Sequence, residues 1–172
     1  MAVQGPIVIT GASSGIGAAC AQYLDALGFT VWAGVRSTQD GEALTRLTSS
    51  RLRVLMLDVT DPASIEAARK TLAEATRDTG LAGLVNNAGI SVAGPLELLP
   101  LSEVRTQFEV NVIGVLAVTQ ALLPLLRLAR GRIVNISSIA GLAATPFLGA
   151  YCSSKFALEA MSDALRLELA PW

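Results

Sequence analysis

Five short runs rich in β-branched residues, each followed by a longer stretch with helical patterning, constrain this chain more than any other feature. The runs are "PIVIT" (6–10), "TVWAGV" (30–35), "LRVLML" (52–57), "LAGLVN" (81–86) and "GRIVNIS" (131–137). The helical stretches fall near 15–28, 40–48, 62–77, 101–129 and 150–169. None of the runs alternates cleanly between apolar and polar residues, which is the pattern of strands buried on both faces of a parallel sheet.

Strict strand–helix alternation implies an α/β layer. Right-handed crossovers then restrict it to a doubly wound, Rossmann-like parallel sheet with five strands and helices on both faces. Helix boundaries agree: Asp61-Pro62 sets a capping residue before a proline at the first helical position, Gly28 ends the first helix, and Gly80 closes the third. With 172 residues, 52% hydrophobic and 16% charged, the chain has material for one domain with a large dry core.

Charge and cysteine usage narrow the function classes. Thirteen basic and 14 acidic residues are spread along the chain for a net charge of -1, so no basic stripe points to nucleic acid. No Cys/His spacing suggests a metal. The two cysteines, Cys20 and Cys152, read as small core or interface residues of a reduced, cytoplasmic protein. "MAVQGPIVITG" lacks a signal-peptide pattern, and the apolar stretch Val110 to Leu126 carries Asn111, Thr119, Gln120 and Pro124. It reads as a buried helix, and no membrane span is expected.

The first strand runs into "TGASSGIG" (10–17) and then a helix. Gly11 suits the tight turn, while Gly15 and Gly17 lack the Cβ that would block backbone approach and helix–sheet packing. The N–H groups freed at the helix start, with the helix dipole, suit a pyrophosphate. Gly11, Ser13, Ser14, Gly15, Ile16 and Gly17 are the candidate contacts of a dinucleotide. At the end of the second strand an acid would accept from the ribose of NAD, whereas an arginine favours the 2′-phosphate of NADP. The chain reads "WAGVRS", so Arg36 predicts NADP(H) as preferred and NAD(H) as possible, with a solvated strand-end arginine as the plain alternative.

"TGASSGIG", "DVT" (58–60), "NNAG" (86–89), Asn111, "NISS" (135–138) and "YCSSK" (151–155) occur together in one order. In that order and approximate spacing the chain resembles the classical short-chain dehydrogenase/reductase family over about residues 6 to 170, with "YCSSKFALEAMSDALRLEL" most like its hydroxysteroid and retinol dehydrogenase branch. The resemblance implies an oxidoreductase interconverting an alcohol and a ketone or aldehyde. Moving a hydride to or from a carbinol carbon requires a proton to move on or off its oxygen. A free phenol titrates near pH ~10, and a nearby ammonium favours the phenolate. Four residues on a helix share a face, so Lys155 can lie beside Tyr151, tuning it while Tyr151 transfers the proton.

Other roles follow from the resemblance alone. Lys155 holds the nicotinamide ribose, Ser138 hydrogen-bonds the substrate oxygen, and Asn111 holds a water in a relay to the lysine. Ser138 is chosen over Ser137 on its spacing to Tyr151. Asn111 is unfavourable inside a helix, and the competing reading is a buried amide bonded to a backbone carbonyl. Asp58 contacts the adenine amino group and Val59 lines its pocket, while Asn87, Ala88 and Gly89 brace the sheet and pass the ribose, Asn87 being either structural or ligand-contacting.

The pattern stops at "LELAPW" (167–172), where a two-half sheet needs a sixth strand to cover the edge of the fifth. One dinucleotide-binding and catalytic domain over 1–172, truncated before its last strands and substrate lid, is therefore expected; an edge covered by a partner chain is the other reading. A nucleotide-binding sensor or assembly protein without catalysis is the competing function, because such a chain lacks substrate walls. The loops 91–99 and 140–149 are apolar, predicting a small hydrophobic alcohol or ketone. The apolar helices 101–129 and 150–169 predict a homodimer or homotetramer, or burial under further chain.

Overall fold

The computed structural model describes residues 4–172. Five parallel strands, β1 (Ile7–Ile9), β2 (Val31–Val35), β3 (Leu52–Met56), β4 (Gly83–Asn86) and β5 (Arg132–Asn135), form one sheet in the order β3-β2-β1-β4-β5. Between them lie α1 (Gly15–Ala26), α2 (Thr38–Thr45), α3 (Pro62–Ala75), α4 (Leu101–Phe108) and α5 (Val115–Ala129), and α6 (Gly149–Glu168) follows β5. This is the doubly wound α/β architecture that the alternation implies. β1 and β2 are buried along their whole length, which is why their residues show no polar alternation.

Successive strand residues still point to opposite faces. Ile7, Ile9, Val31, Ala33 and Val35 pack with Ala21 and Leu44 on the side of α1 and α2. Val8, Trp32, Leu55 and Leu84 pack with Leu72, Val118, Leu122 and Leu126 on the side of α3 and α5. Leu101–Ala129 is long and apolar enough to cross a membrane, yet its Val118, Leu122 and Leu126 stripe sits in this core. β5 is an outer strand with its Val134 side chain 49% exposed.

One part of the fold departs from expectation. The stretch 101–129 is not one α-helix: residues Glu109–Gly114 form a π-helical turn between α4 and α5, and Asn111 lies within it. The wider turn keeps the chain continuous while redirecting side chains, a feature that often accompanies functional sites. Gly114 is needed here, because a Cβ would stand 2.8 Å from the carbonyl oxygen of Val59. The fifth strand is also shorter than 131–137, so Ser138 is not a strand residue but caps the short 3-10 turn Ile139–Gly141.

The chain winds outward from β1 to β3, returns through α3 to β4 on the other side of β1, and continues to β5. Loops leaving β1 and β4 therefore diverge, opening a crevice at the carboxyl ends of the strands. Gly17 lets α1 start against this junction: a Cβ there would collide with the carbonyl of Gly11 and the amide of Asn87. Gly15 serves differently. Its φ is 54° and nothing lies within 4 Å of where a Cβ would be, so its face is left open.

The far end of α1 is pinned by Asp25. Its carboxylate accepts from the Ser49 N–H at 2.8 Å and the Ser49 hydroxyl at 2.6 Å, while Arg51 donates to its carbonyl at 3.0 Å. Burial pushes this carboxyl up, but the two Ser49 bonds and the Arg51 charge outweigh it and hold it below its ordinary value. A lowered carboxyl stabilises the fold above its unfolded value and loses that contribution as pH falls through the folded one. Asp25→Asn should lower stability at pH 7 by about 2 kcal/mol. The gap from the parent should narrow below about pH 4, as read from urea midpoints at pH 7 and pH 3. Gly17→Ala should cost about 2 kcal/mol by overpacking. Gly15→Ala should cost about 1 kcal/mol of backbone strain alone, so calorimetry should rank Gly17→Ala as the lower-melting variant.

Candidate active site

The crevice has a volume of about 440 Å³ and is lined by Gly11, Ser13, Ser14, Ile16, Arg36, Asp58, Val59, Asn87, Ala88, Gly89 and Ile90, among others. It thus gathers the glycine loop, the ends of β2 and β3 and the loop after β4 at one place. The N-terminus of α1, beside the crevice, has no side-chain cap from Ser14, which leaves its first N–H groups without a side-chain partner. Ser13 and Ser14 are exposed beside it, and Ile16 is 62% exposed. Uncapped donors, an open glycine face and an exposed apolar side chain fit an anionic group followed by a flat one, as in a dinucleotide.

At one end of the crevice two opposite charges sit near each other. Arg36 is exposed after β2. Asp58, after β3, accepts from the Thr60 N–H at 2.9 Å and the Thr60 hydroxyl at 2.8 Å, and its own N–H donates to Ser64 at 2.9 Å. The Thr60 bonds hold the Asp58 carboxyl below its usual range, and the Arg36 charge adds to them against a modest effect of burial. Val59 is buried beneath.

The loop after β4 is tied to the loop after β1 by one hydroxyl and one amide. Thr10 Oγ1 accepts from the N–H of Asn87 at 3.0 Å and of Ala88 at 2.9 Å. The Asn87 side chain donates to the carbonyls of Thr10 and Gly11, at 3.0 and 2.9 Å. Both amide protons of Asn87 are consumed in holding the crevice together, so its side chain reads as structural.

On α6, Tyr151 and Lys155 share a face: Lys155 Nζ lies 5.8 Å from the centre of the Tyr151 ring. Tyr151 is half-buried, whereas Lys155 is only 6% exposed and donates to the carbonyl of Ile136 at 2.8 Å. Burial pushes the lysine down from its ordinary value, opposed by the charge of Glu159. One of its three donors is used; Lys155, like Tyr151 and Ser138, lies outside the lining of the crevice and meets it at Gly89. A methyl group added to Gly89 would stand 3.9 Å from Lys155 Nζ and 3.3 Å from Asn111 Oδ1.

Asn111 is 1% exposed, and its amide is fully engaged. Oδ1 accepts from the Ile90 N–H at 2.9 Å, and Nδ2 donates to the Ile90 carbonyl at 2.9 Å and to Ser154 Oγ at 3.0 Å. Both Asn111 side-chain protons are thus taken, one by backbone and one by Ser154. The two serines separate clearly. Ser138 Oγ accepts from the Ala140 N–H at 3.2 Å and keeps its own proton to give. Ser137 Oγ is enclosed without a partner, and a Cβ on Gly141 would stand 3.0 Å from it.

Three participants escaped the sequence reading: Thr10, Thr60 and Ser154. Thr10 and Thr60 sit inside quoted motifs, but a strand-end threonine carries no spacing signal for the backbone it will cap. Ser154 lies within "YCSSK" itself, and its signal was only that a small polar residue precedes the lysine.

Known proteins share this fold. The model of the family described as short chain dehydrogenase matches residues 6–172. Retinol dehydrogenase 16 of Homo sapiens is 48% identical over 164 residues, 95% of this chain and 51% of its own length. The NADPH-bound carbonyl reductase from chicken fatty liver superposes with a TM-score of 0.89 at 32% identity, over 96% of this chain and 74% of that one. An NAD+-bound xylitol dehydrogenase gives 0.91 at 26% identity, over 98% and 66%. The chain spans about half the length of the curated relatives it matches. On the strength of the match from 6 to 172 and of this shared architecture, the chain belongs to the short-chain dehydrogenase family.

Proposed function

We propose that this protein interconverts an alcohol and a ketone or aldehyde, with NADP(H) as its preferred partner. The observation that carries the reading is the Lys155 ammonium buried beside the Tyr151 ring and reached from the crevice across Gly89. A bound nicotinamide dinucleotide supplies the hydride donor or acceptor. The N-terminus of α1 holds its pyrophosphate, Asp58 and Val59 its adenine, and Lys155 its nicotinamide ribose through the two donors that Ile136 leaves free.

Tyr151 Oη gives a proton to the substrate oxygen in reduction and takes it in oxidation. Lys155 stabilises the negative charge left on Tyr151 Oη, and its low exposure keeps water from screening the effect. Ser138, with a proton to give, hydrogen-bonds the substrate oxygen as its charge changes. Leu96, Leu98, Ile139, Leu142 and Phe147 are all exposed large apolar side chains on the loops that flank this end of the sheet. They favour a neutral hydrophobic substrate, in keeping with a relative named for retinol. The two cysteines are free, in accord with a reduced compartment such as the cytoplasm. Ile113 and Phe156, exposed on the π-helical turn and on α6, support association through these helices.

Tyr151→Phe removes the transferable proton and little else. In the intact protein kcat should fall by about a thousandfold, while the dinucleotide Kd from fluorescence titration stays within about twofold because the ring and its packing persist. Turnover close to the parent's would end the proposal, and binding without turnover in the parent itself would favour a sensor instead. For the cofactor, Arg36 is exposed at the end of β2, where it can meet a 2′-phosphate. Arg36→Asp should lower the kcat/KM ratio of NADP over NAD by about tenfold or more, the worth of a charge-assisted hydrogen bond. An unchanged ratio would show that Arg36 is not the selector.

A further inference from the structure

The π-helical turn brings the Asn111 amide to a place where three segments meet. Toward the crevice it clasps Ile90, taking the N–H and giving to the carbonyl. Toward α6 it gives its second proton to Ser154 Oγ at 3.0 Å. Ser154 in turn donates to the carbonyl of Tyr151 at 2.8 Å. Both groups are closed to solvent, Ser154 at 0% and Asn111 at 1% exposure, so no water can replace a lost partner. Every proton on this path is placed: the Ser154 hydroxyl spends its own on Tyr151 and offers a lone pair to Asn111.

We propose that Ser154 is a positioning residue, coupling the crevice floor at Ile90, through the Asn111 amide, to the turn of α6 that carries Tyr151. Tyr151 and Lys155 stand on one helix, whereas Gly89 and Ile90 belong to the loop after β4, and the path Ile90–Asn111–Ser154–Tyr151 is a direct polar link between them. The phenol that moves the proton and the wall that faces the nicotinamide end are thereby held at a set separation. A displacement of even an ångström between reacting groups lowers rates severely. The alternative role for a fully buried serine is to fill space, and alanine fills nearly the same space.

Ser154→Ala tests this through two readouts in the intact protein. The first is hydrogen exchange at the Ile90 amide, which Asn111 Oδ1 holds in place. Loosening Asn111 should speed that exchange by about tenfold or more, with the amides of β1 and β2 unchanged. This readout stands whether or not the protein turns over substrate. The second rests on the function proposed above: kcat should fall by about tenfold or more, with the dinucleotide Kd within about threefold. Ser154→Cys, which keeps the volume and a weak acceptor, should lie between parent and alanine in both. An Ile90 amide as slow as the parent's, or acceleration spread equally over the sheet, would overturn the coupling. If exchange at Ile90 quickens but kcat does not move, the positioning role fails even though the hydrogen bond is real. Loss of the function itself is told apart by Tyr151→Phe, whose retained turnover would condemn the catalytic reading and leave the exchange result intact.

Discussion

A buried ammonium with one protein acceptor is the constraint around which this site is organised. Lys155 is removed from water and hydrogen-bonded to a single carbonyl, that of Ile136. Such a group costs free energy unless its charge is answered, and here the balance is unfavourable enough to push the lysine below its ordinary value. Glu159 answers part of it from the same helix. The remainder is available to whatever enters the crevice: hydroxyl oxygens that accept the two spare protons, or negative charge growing on the neighbouring phenol. A site left short of acceptors in this way gains most when the ligand and the developing charge supply them. The Ile136 carbonyl matters because Ile136 directly follows β5 and its N–H donates to the Asn86 carbonyl, which ties the cation to the sheet and not to α6 alone.

Strand ends elsewhere are joined by side chains that take over where backbone ladders stop. Thr10 and Asn87 stitch the ends of β1 and β4 together beneath the crevice. One residue earlier, Asn86 Nδ2 donates to Thr119 on α5 and to Asn135, its register partner on β5, at 3.0 and 2.9 Å. Asn135 then donates to Ser162 on α6 at 2.8 Å. Parallel strands whose loops diverge leave backbone groups unpaired in a buried place, and each must find a partner. Short amides and hydroxyls are the smallest groups that can serve. They are concentrated at the carboxyl ends of β1, β4 and β5.

Legibility in the sequence divides along the same line. Strand runs, the two-faced burial of β1 and β2 and the glycine loop were all visible, since each reflects a local pattern of apolar spacing or missing Cβ. The same-face placement of Tyr151 and Lys155 was visible because helical period alone dictates it. The π-helical turn was not. Its residues "EVNVIG" fit an α-helix equally well, and only the approach of Val59 to Gly114 and the pull of Ile90 on Asn111 select the wider turn. Those are contacts across 55 and 21 residues, beyond any local rule. The early end of β5 was not legible for the same reason: nothing in "NISS" announces that pairing ends at Asn135 and a 3-10 turn begins.

On the proposed reading, the charges of Arg36 and Asp58 at one end of the crevice limit how strongly any one residue can choose the cofactor. A carboxylate that rejects a 2′-phosphate outright stands at the end of β2 and takes the ribose hydroxyls itself. Here that place holds Arg36, and the carboxylate stands one strand further out, at Asp58. Thr60 occupies Asp58 Oδ1 twice and helps keep the group ionised, so a negative charge is always present near the cation. Arg36 therefore attracts a phosphate against a standing repulsion and through solvent, since it is exposed. A second cation at this end would tip the balance decisively, but Ser13 and Ser14 offer hydroxyls only. On the proposed reading the preference for NADP is thus graded and sensitive to salt, and the same crevice remains open to NAD.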